Sequence, residues 1–180
     1  MRIYNIQFEE YFKRREEQEK LRASRARTRT KINKIPVRFP SVNNMYPINR
    51  TGSGKRISAE GRVFKNYIYD ELDRQDNGSP FFATYYECSY IYYHTNEMLF
   101  YKNGEPKKVD VSNYLKATED AVFDYLMEND SLVTAIHGYK RLIQASLPRL
   151  VVIVSEARLD DCICHGVDIF DTEELWKSTL

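Results

Sequence analysis

KKVDVSNYLKATEDAVFDYLMEND, residues 107–130, decides how the chain is read. As a helix at about 100° per residue, it puts Val111, Leu115, Val122 and Leu126 on one side, with Thr118 and Tyr125 completing the stripe. Asp110, Asn113, Ala117, Asp120 and Asp124 fall on the opposite side, Lys116 lies at its edge, and Asp130 follows the predicted helix end. One face is fit to pack on a core while the other gathers acids, an amide and an amine. Solvation accounts for a charged face, but surface helices usually mix their signs. Acids gathered on one side also suit a hard divalent cation such as Mg²⁺, which takes oxygen ligands from a few carboxylates and from substrate phosphates.

Outward from this helix the chain alternates strand and helix signals. Downstream, SLVTAIHGYKRL reads as a strand, IQASLP as a connection and RLVVIVSE as a second strand, an expected hairpin. His137 is expected at a strand surface. Upstream, Phe81–His94 is crowded with tyrosines and β-formers and reads as a long strand. Its aromatics suit core packing better than base stacking, and Cys88 suits a buried position. MLFYKN reads as a short strand. GEPKK then brings Lys107 and Lys108 up against Asp110, which sets cations beside the expected phosphate site.

Ser58-Ala59-Glu60 reads as a helix start with Ser58 as N-cap. That helix is expected to run to about Gln75, burying Val63, Tyr67 and Ile68, before the break at DNGSP. KIPVRFP, residues 34–40, alternates Ile35, Val37 and Phe39 and reads as the first strand. The loop after it holds Asn43, Asn44, Arg50, Lys55 and Arg56, which suit a phosphate backbone; an ordinary solvated turn is the plainer alternative. Residues 1–30 read as a solvated basic helix or flexible arm, because Ile3, Ile6 and Leu21 are too sparse for an apolar stripe. Cys162, Cys164 and His165 in the tail lack standard zinc spacing. Asp171 is expected to cap a short terminal helix.

The bulk figures fit one globular domain: 180 residues, 42% hydrophobic and 29% charged. No apolar run approaches the ~20 residues of a membrane span. An odd count of 3 cysteines is no disulfide framework, so a reducing cytoplasm is the simplest location. The net charge of +1 hides a gradient: residues 1–40 hold 12 Lys/Arg against 5 Asp/Glu, whereas residues 151–180 hold 2 against 7. A small total is therefore compatible with a nucleic-acid partner, which responds to local patches.

Asp110, Ser112, Asn113, Lys116, Asp120 and Asp130 together form a pattern that resembles the RusA-like Holliday-junction resolvases. PSVNNMY at Pro40–Tyr46, followed by SAEG at Ser58–Gly61, resembles the same family's N-terminal signature. The two blocks stand in family order over roughly residues 34–156. The resemblance implies a single domain of the α+β or α/β class, with a mixed sheet packed against helices. Its expected boundaries are 31–156, between an N-terminal arm over 1–30 and an acidic extension over 157–180. It implies a Mg²⁺-dependent endonuclease on branched DNA, with Mn²⁺ as a substitute metal. A four-way junction has two strands to nick, so substrate and family alike imply a homodimer.

On this reading Asp110, Asp120 and Asp130 are metal ligands, and Lys116 stabilises phosphorane charge or the leaving oxygen. Asn113 orients a ligand or contacts phosphate. Family members often carry Asp where this chain has Ser112, so Ser112 binds metal only weakly or through water. Glu119 and Asp124 are candidates to supply the missing charge, Glu119 ranking lower because it falls off the acidic face. The alternative is a junction-binding protein of the same fold with weak or no cleavage.

Overall fold

Strand β2, Tyr86–His94, is the spine of the sheet. Its burial alternates strictly, with Tyr86, Cys88, Tyr90, Tyr92 and His94 buried and the residues between them half-exposed. Large aromatic side chains on one face of a strand bury much area per residue, so this strand draws the helices onto one side. The computed structural model describes residues 1–25, 37–47, 56–76, 78, 83–126 and 130–157, residue 130 by its backbone alone. Arg50, Lys55, the basic run after Arg25, and the tail with Cys162, Cys164 and the expected terminal helix lie outside the described residues.

Among the described residues the sheet has four strands in the order β1-β4-β2-β3, with β1 at Arg2–Gln7, β3 at Val133–Leu142 and β4 at Arg149–Glu156. β2 is parallel to β3 and antiparallel to β4, and β4 is antiparallel to β1. It is the mixed sheet with helices that the sequence implies. The expected β3–β4 hairpin is not formed, because β2 lies between the two strands. The most apolar strands take the centre: β4 buries Leu150, Val152 and Val154 against the same core as β2. β3, with Thr134, His137, Gly138, Lys140 and Arg141, goes to an edge.

The N-terminal reading needs correction. Residues 2–7 form a strand rather than part of a solvated helix, and Tyr4, Ile6 and Phe8 are buried. Helix α1, Glu9–Arg25, follows and packs Tyr11 against Phe8, Phe64 and Tyr67. Residues 37–40 carry no strand, yet Phe39 is buried among Phe8, Tyr92 and His94. A single turn α2, Val42–Met45, comes next. Helix α3, Ala59–Gln75, begins where the sequence places it, with the Ser58 side chain accepting from Gly61 N. It buries Phe64, Tyr67, Ile68 and Leu72, with Val63 only partly covered. The expected strand at MLFYKN is instead a turn of helix, α4 at Asn96–Leu99, closed by a Phe100–Pro106 bridge.

Helix α5 spans Ser112–Leu126, shorter than the stretch quoted above, with Asp110 just outside it. Thr118 and Val122 are buried as the stripe requires. Ala117, Glu119 and Ala121 are buried too, and all three fell outside the expected apolar stripe because α5 packs on two sides at once. One side meets the sheet; the other meets α2 and α3, where alanines permit close approach.

Candidate functional site

Asp110 is exposed at the head of α5, and its carboxylate is held from three directions. Oδ1 accepts from Ser112 N at 2.9 Å and Ser112 Oγ at 2.8 Å, while Oδ2 accepts from Asn113 Nδ2 at 3.2 Å. This is the local geometry of an acidic residue turning the chain into a helix. The D-x-S-N spacing supplies it: the residue two positions on offers a backbone N–H and a hydroxyl, the next an amide. An anion so fixed keeps an outward lone pair for a cation and pays little further ordering cost.

The segment carrying Asp110 rests on strand β3. Lys140 Nζ donates to Val109 O at 3.1 Å. One residue pair further down, a Cβ at Gly138 would lie 2.8 Å from Leu115 Cδ1 and 3.1 Å from Val111 Cγ1. A side chain at 138 would have to displace the Leu115 and Val111 side chains for the start of α5 to sit this close to the strand.

Beside Asp110 lies a groove of about 500 Å³ lined by Val37, Arg38, Tyr101, Lys107, Lys108 and Tyr114, among others. Lys107 is held at its wall, donating to Glu97 O at 2.5 Å with its ammonium 5.5 Å from the Tyr101 ring centre. Lys108 and Arg38 are exposed. Arg38 was not singled out from the sequence, because it sits in a stretch read for its apolar alternation. Three cations on one groove next to a fixed carboxylate form a surface suited to a phosphodiester backbone.

A second group forms about one and a half turns along α5. Lys116 Nζ lies 3.0 Å from Asp120 Oδ1 and 3.4 Å from Glu119 Oε2. Tyr46, at the end of the α2 turn, also hydrogen-bonds Asp120; burial, with Asp120's negative charge behind it, raises the Tyr46 hydroxyl pKa. The two sequence blocks therefore meet here. Ser58 N donates to Met45 O at 2.7 Å, and a Cβ at Gly61 would lie 3.1 Å from the Met45 backbone, so the second block docks on the first. Asn43 and Arg56 are exposed on this side and Asn44 is half-buried. Asp124, one turn beyond Asp120 and close enough to add to the rise in the Tyr46 pKa, pairs with Lys65 of α3, and the bonds from Lys65 and the Tyr69 hydroxyl lower its own pKa.

Asp110 and Asp120 belong to separate groups along α5, and the side chain of Asp130 is not among those described. Tyr92 packs on Tyr114 near the start of α5 while Tyr86 packs on Phe123 near its end, so α5 runs antiparallel to β2. Asp110 thus lies level with Lys140, and Asp130, opening the turn Asp130–Leu132 before β3, lies at the strand's other end. Seven residue steps of strand, from Val133 to Lys140, set their backbones roughly 23 Å apart along the sheet. Among the described residues no three His, Cys, Asp or Glu side chains form a group that could hold a metal ion.

His137 lies 3.0 Å from Glu87 on the sheet surface, where the sequence expects it. Burial pushes the Cys88 thiol up to about 12, which leaves it an inert core residue. No helix among the described residues is long and apolar enough to cross a membrane. A family model described as Endodeoxyribonuclease RusA matches residues 36–155. Comparison with curated proteins found no match.

Proposed function

The chain belongs to the RusA endodeoxyribonuclease family and is an endodeoxyribonuclease of the Holliday-junction resolvase type; on that premise we propose that it nicks four-way junctions symmetrically, with Mg²⁺, as a homodimer. The observation that carries this is the Asp110 carboxylate, exposed beside a groove of Arg38, Lys107 and Lys108 and fixed by Ser112 and Asn113.

The donors around Asp110 suit a hard divalent ion, since they are oxygens on a preset carboxylate. Asp110 is the principal ligand, Asp130 the second, and Asp120 a candidate that Lys116 and Tyr46 already engage. When bound, the ion supplies charge neutralisation at the scissile phosphate and acidifies a water for attack. The chain's own residues do the remaining work. Lys107, Lys108 and Arg38 seat the backbone of one strand. Lys116, steadied by Asp120 and Glu119, holds positive charge toward the α2 side, where Asn43, Asn44 and Arg56 meet the neighbouring duplex. Arg50 and Lys55 follow Asn44 in the sequence and are proposed to add to the same contact.

Ser112 favours a second reading. Its hydroxyl donates to Asp110 rather than standing free as a ligand, which suits a junction binder with slow cleavage. One experiment separates the two: nicking of a synthetic four-way junction in Mg²⁺, and gel-shift affinity in EDTA, for the wild type and Asp110→Asn. Nicking lost with affinity retained is the expected result. A wild type that binds the junction and never nicks it would establish the second reading.

A further inference from the structure

We infer that Tyr101, carried on a braced turn beside Asp110, is a stacking platform for a base exposed at the branch point of the DNA, and so sets the preference for a junction over a linear duplex. The inference rests on the branched-DNA reading above and adds to it the group that tells the two DNAs apart.

Three observations point to it. First, Tyr101 is 56% exposed, the most exposed tyrosine among the described residues, whereas Tyr86, Tyr90 and Tyr92 of β2 are buried. An exposed aromatic ring offers a face on which any base can stack, whatever the sequence. Second, the turn that carries it is held by hydrogen bonds. Tyr101 N donates to Glu105 O at 2.8 Å, and Gly104 N donates to Tyr101 O at 3.0 Å. Asn103 Oδ1 accepts from Glu105 N at 3.1 Å, and Gly104 takes a φ of +83°, open to glycine at little cost. At the base of the turn Lys107 N donates to Leu99 O at 2.7 Å. An aromatic on a turn already ordered loses little freedom when a base meets it. Third, the ring stands between two grooves. One is the groove beside Asp110; the other, of about 800 Å³, is lined by Asn96, Phe100, Lys102 and Gly104 among others. Lys107 borders both, with its ammonium 5.5 Å from the ring centre. Among the residues lining the two grooves, the cations Arg38, Lys102, Lys107 and Lys108 face the single carboxylate of Glu97. A phosphate backbone seated along these cations carries its bases past the ring. A linear duplex keeps those bases stacked. At a branch point the stack is interrupted, so a flanking base turns out at the least cost.

The test is binding in EDTA, to a four-way junction carrying iododeoxyuridine at its branch point and to a linear duplex of the same length. Tyr101→Ala should lose roughly 5- to 150-fold in junction affinity and change duplex affinity by less than about twofold. Its salt slope should match the wild type, because stacking releases no counterions. Tyr101→Phe keeps the ring and binds as the wild type does. Tyr101→Leu keeps apolar bulk without a π face and binds as the alanine variant does. The bonds that close the turn at Tyr101 come from its backbone, so all three variants should melt with the wild type. Ultraviolet irradiation of the wild-type complex should crosslink the iodinated base to Tyr101, read by mass spectrometry of the peptide. An alanine variant with wild-type junction affinity, an equal loss on duplex, a leucine variant that binds as the wild type, or a crosslink that falls elsewhere overturns the inference and leaves the nuclease reading in place. A wild type that prefers the junction through Tyr101 and never nicks it in Mg²⁺ overturns the nuclease reading and leaves the platform standing. A wild type with no preference for the junction overturns both.

Discussion

Asp110 and its two neighbours set the chemistry at the smallest scale. Ser112 serves Asp110 twice, through its backbone and its hydroxyl. Replacing it with Asp keeps the backbone bond, removes the hydroxyl donor and puts a second negative charge against the first. We expect Ser112→Asp to melt lower than the wild type in EDTA, by an equivalent of about 1 kcal/mol, and to recover in Mg²⁺ at a lower half-maximal concentration for nicking. A melting point indifferent to Mg²⁺ would show that this position is no ligand in either form. The spacing of these residues was legible in the sequence; the direction of the Ser112 bond was not, since a hydroxyl both donates and accepts. The burial of Glu119 was not legible for a similar reason, because helical angle alone does not say that α5 is covered on two sides. His94 was unreadable as a switch. It is fully buried, and Nδ1 donates to Tyr92 O at 3.0 Å. Burial lowers its pKa from 6.5 to about 4. The unfolded chain therefore takes up this proton first, so the stability held by neutral His94 is whole above about pH 6.5 and is lost as pH falls toward 4. Chemical unfolding midpoints should fall between pH 7 and 5, and His94→Phe should flatten that slope; an equally steep profile in the variant would assign it to other groups.

Helix α5 and strand β3 act as a pair at the next scale. Periodicity gave the helix and its first apolar stripe, and α5 begins within a few residues of where the sequence puts it. The contact that fixes its start was not legible, because it depends on a glycine 28 positions away, counted from Asp110 to Gly138. A Cβ there meets Leu115 and Val111, and a branched side chain has no room without lifting the helix start. Gly138→Val should move Asp110 by a fraction of its own length and lower nicking up to about 10²-fold, with a much smaller change in melting temperature. A variant that nicks normally would show that Asp110 is positioned from its own loop alone. Asp124 offers the contrast. It pins α5 to α3 through Lys65 and Tyr69, on a half-exposed surface. Asp124→Asn should cost no more than about 1 kcal/mol of stability and leave single-turnover nicking near the wild-type rate. A hundredfold loss would place that acid in the site after all.

The whole molecule depends on a stretch that short-window reading passes over. RIYNIQ shows two isoleucines in six residues, and nothing nearby reports that its partner is RLVVIVSE, almost 150 positions later. Pairing over such a separation leaves no local periodic trace beyond an alternation too brief to weigh, and the charged helix after it draws the eye to solvent. In the fold, Tyr4 and Ile6 close the core beside β4, and Phe8 is the hub of an aromatic cluster with Tyr11, Phe39, Phe64 and Tyr67. Arg2 reaches Asp76 at 2.5 Å, and Gln75 bonds the Asn5 backbone through both ends of its amide, so α3 is tied to the same strand. Removing residues 1–8 would strip three buried side chains, expose the β4 edge and cut those ties. Each buried aromatic or aliphatic chain lost costs about 3 kcal/mol or more, and three exceed much of a domain's whole stability. The truncated chain should therefore lose cooperative unfolding and accumulate as aggregate, in a way no DNA-binding arm would explain. Any contribution of α1 to DNA binding is open only to substitutions that spare the core. Lys13→Gln with Arg22→Gln removes two exposed charges from that helix. If α1 touches phosphates, the salt dependence of junction binding should flatten by about one to two charges, and melting should hardly change. An unchanged salt slope in this variant, beside a truncation that fails to fold, would make residues 1–25 a structural part of the domain and nothing more.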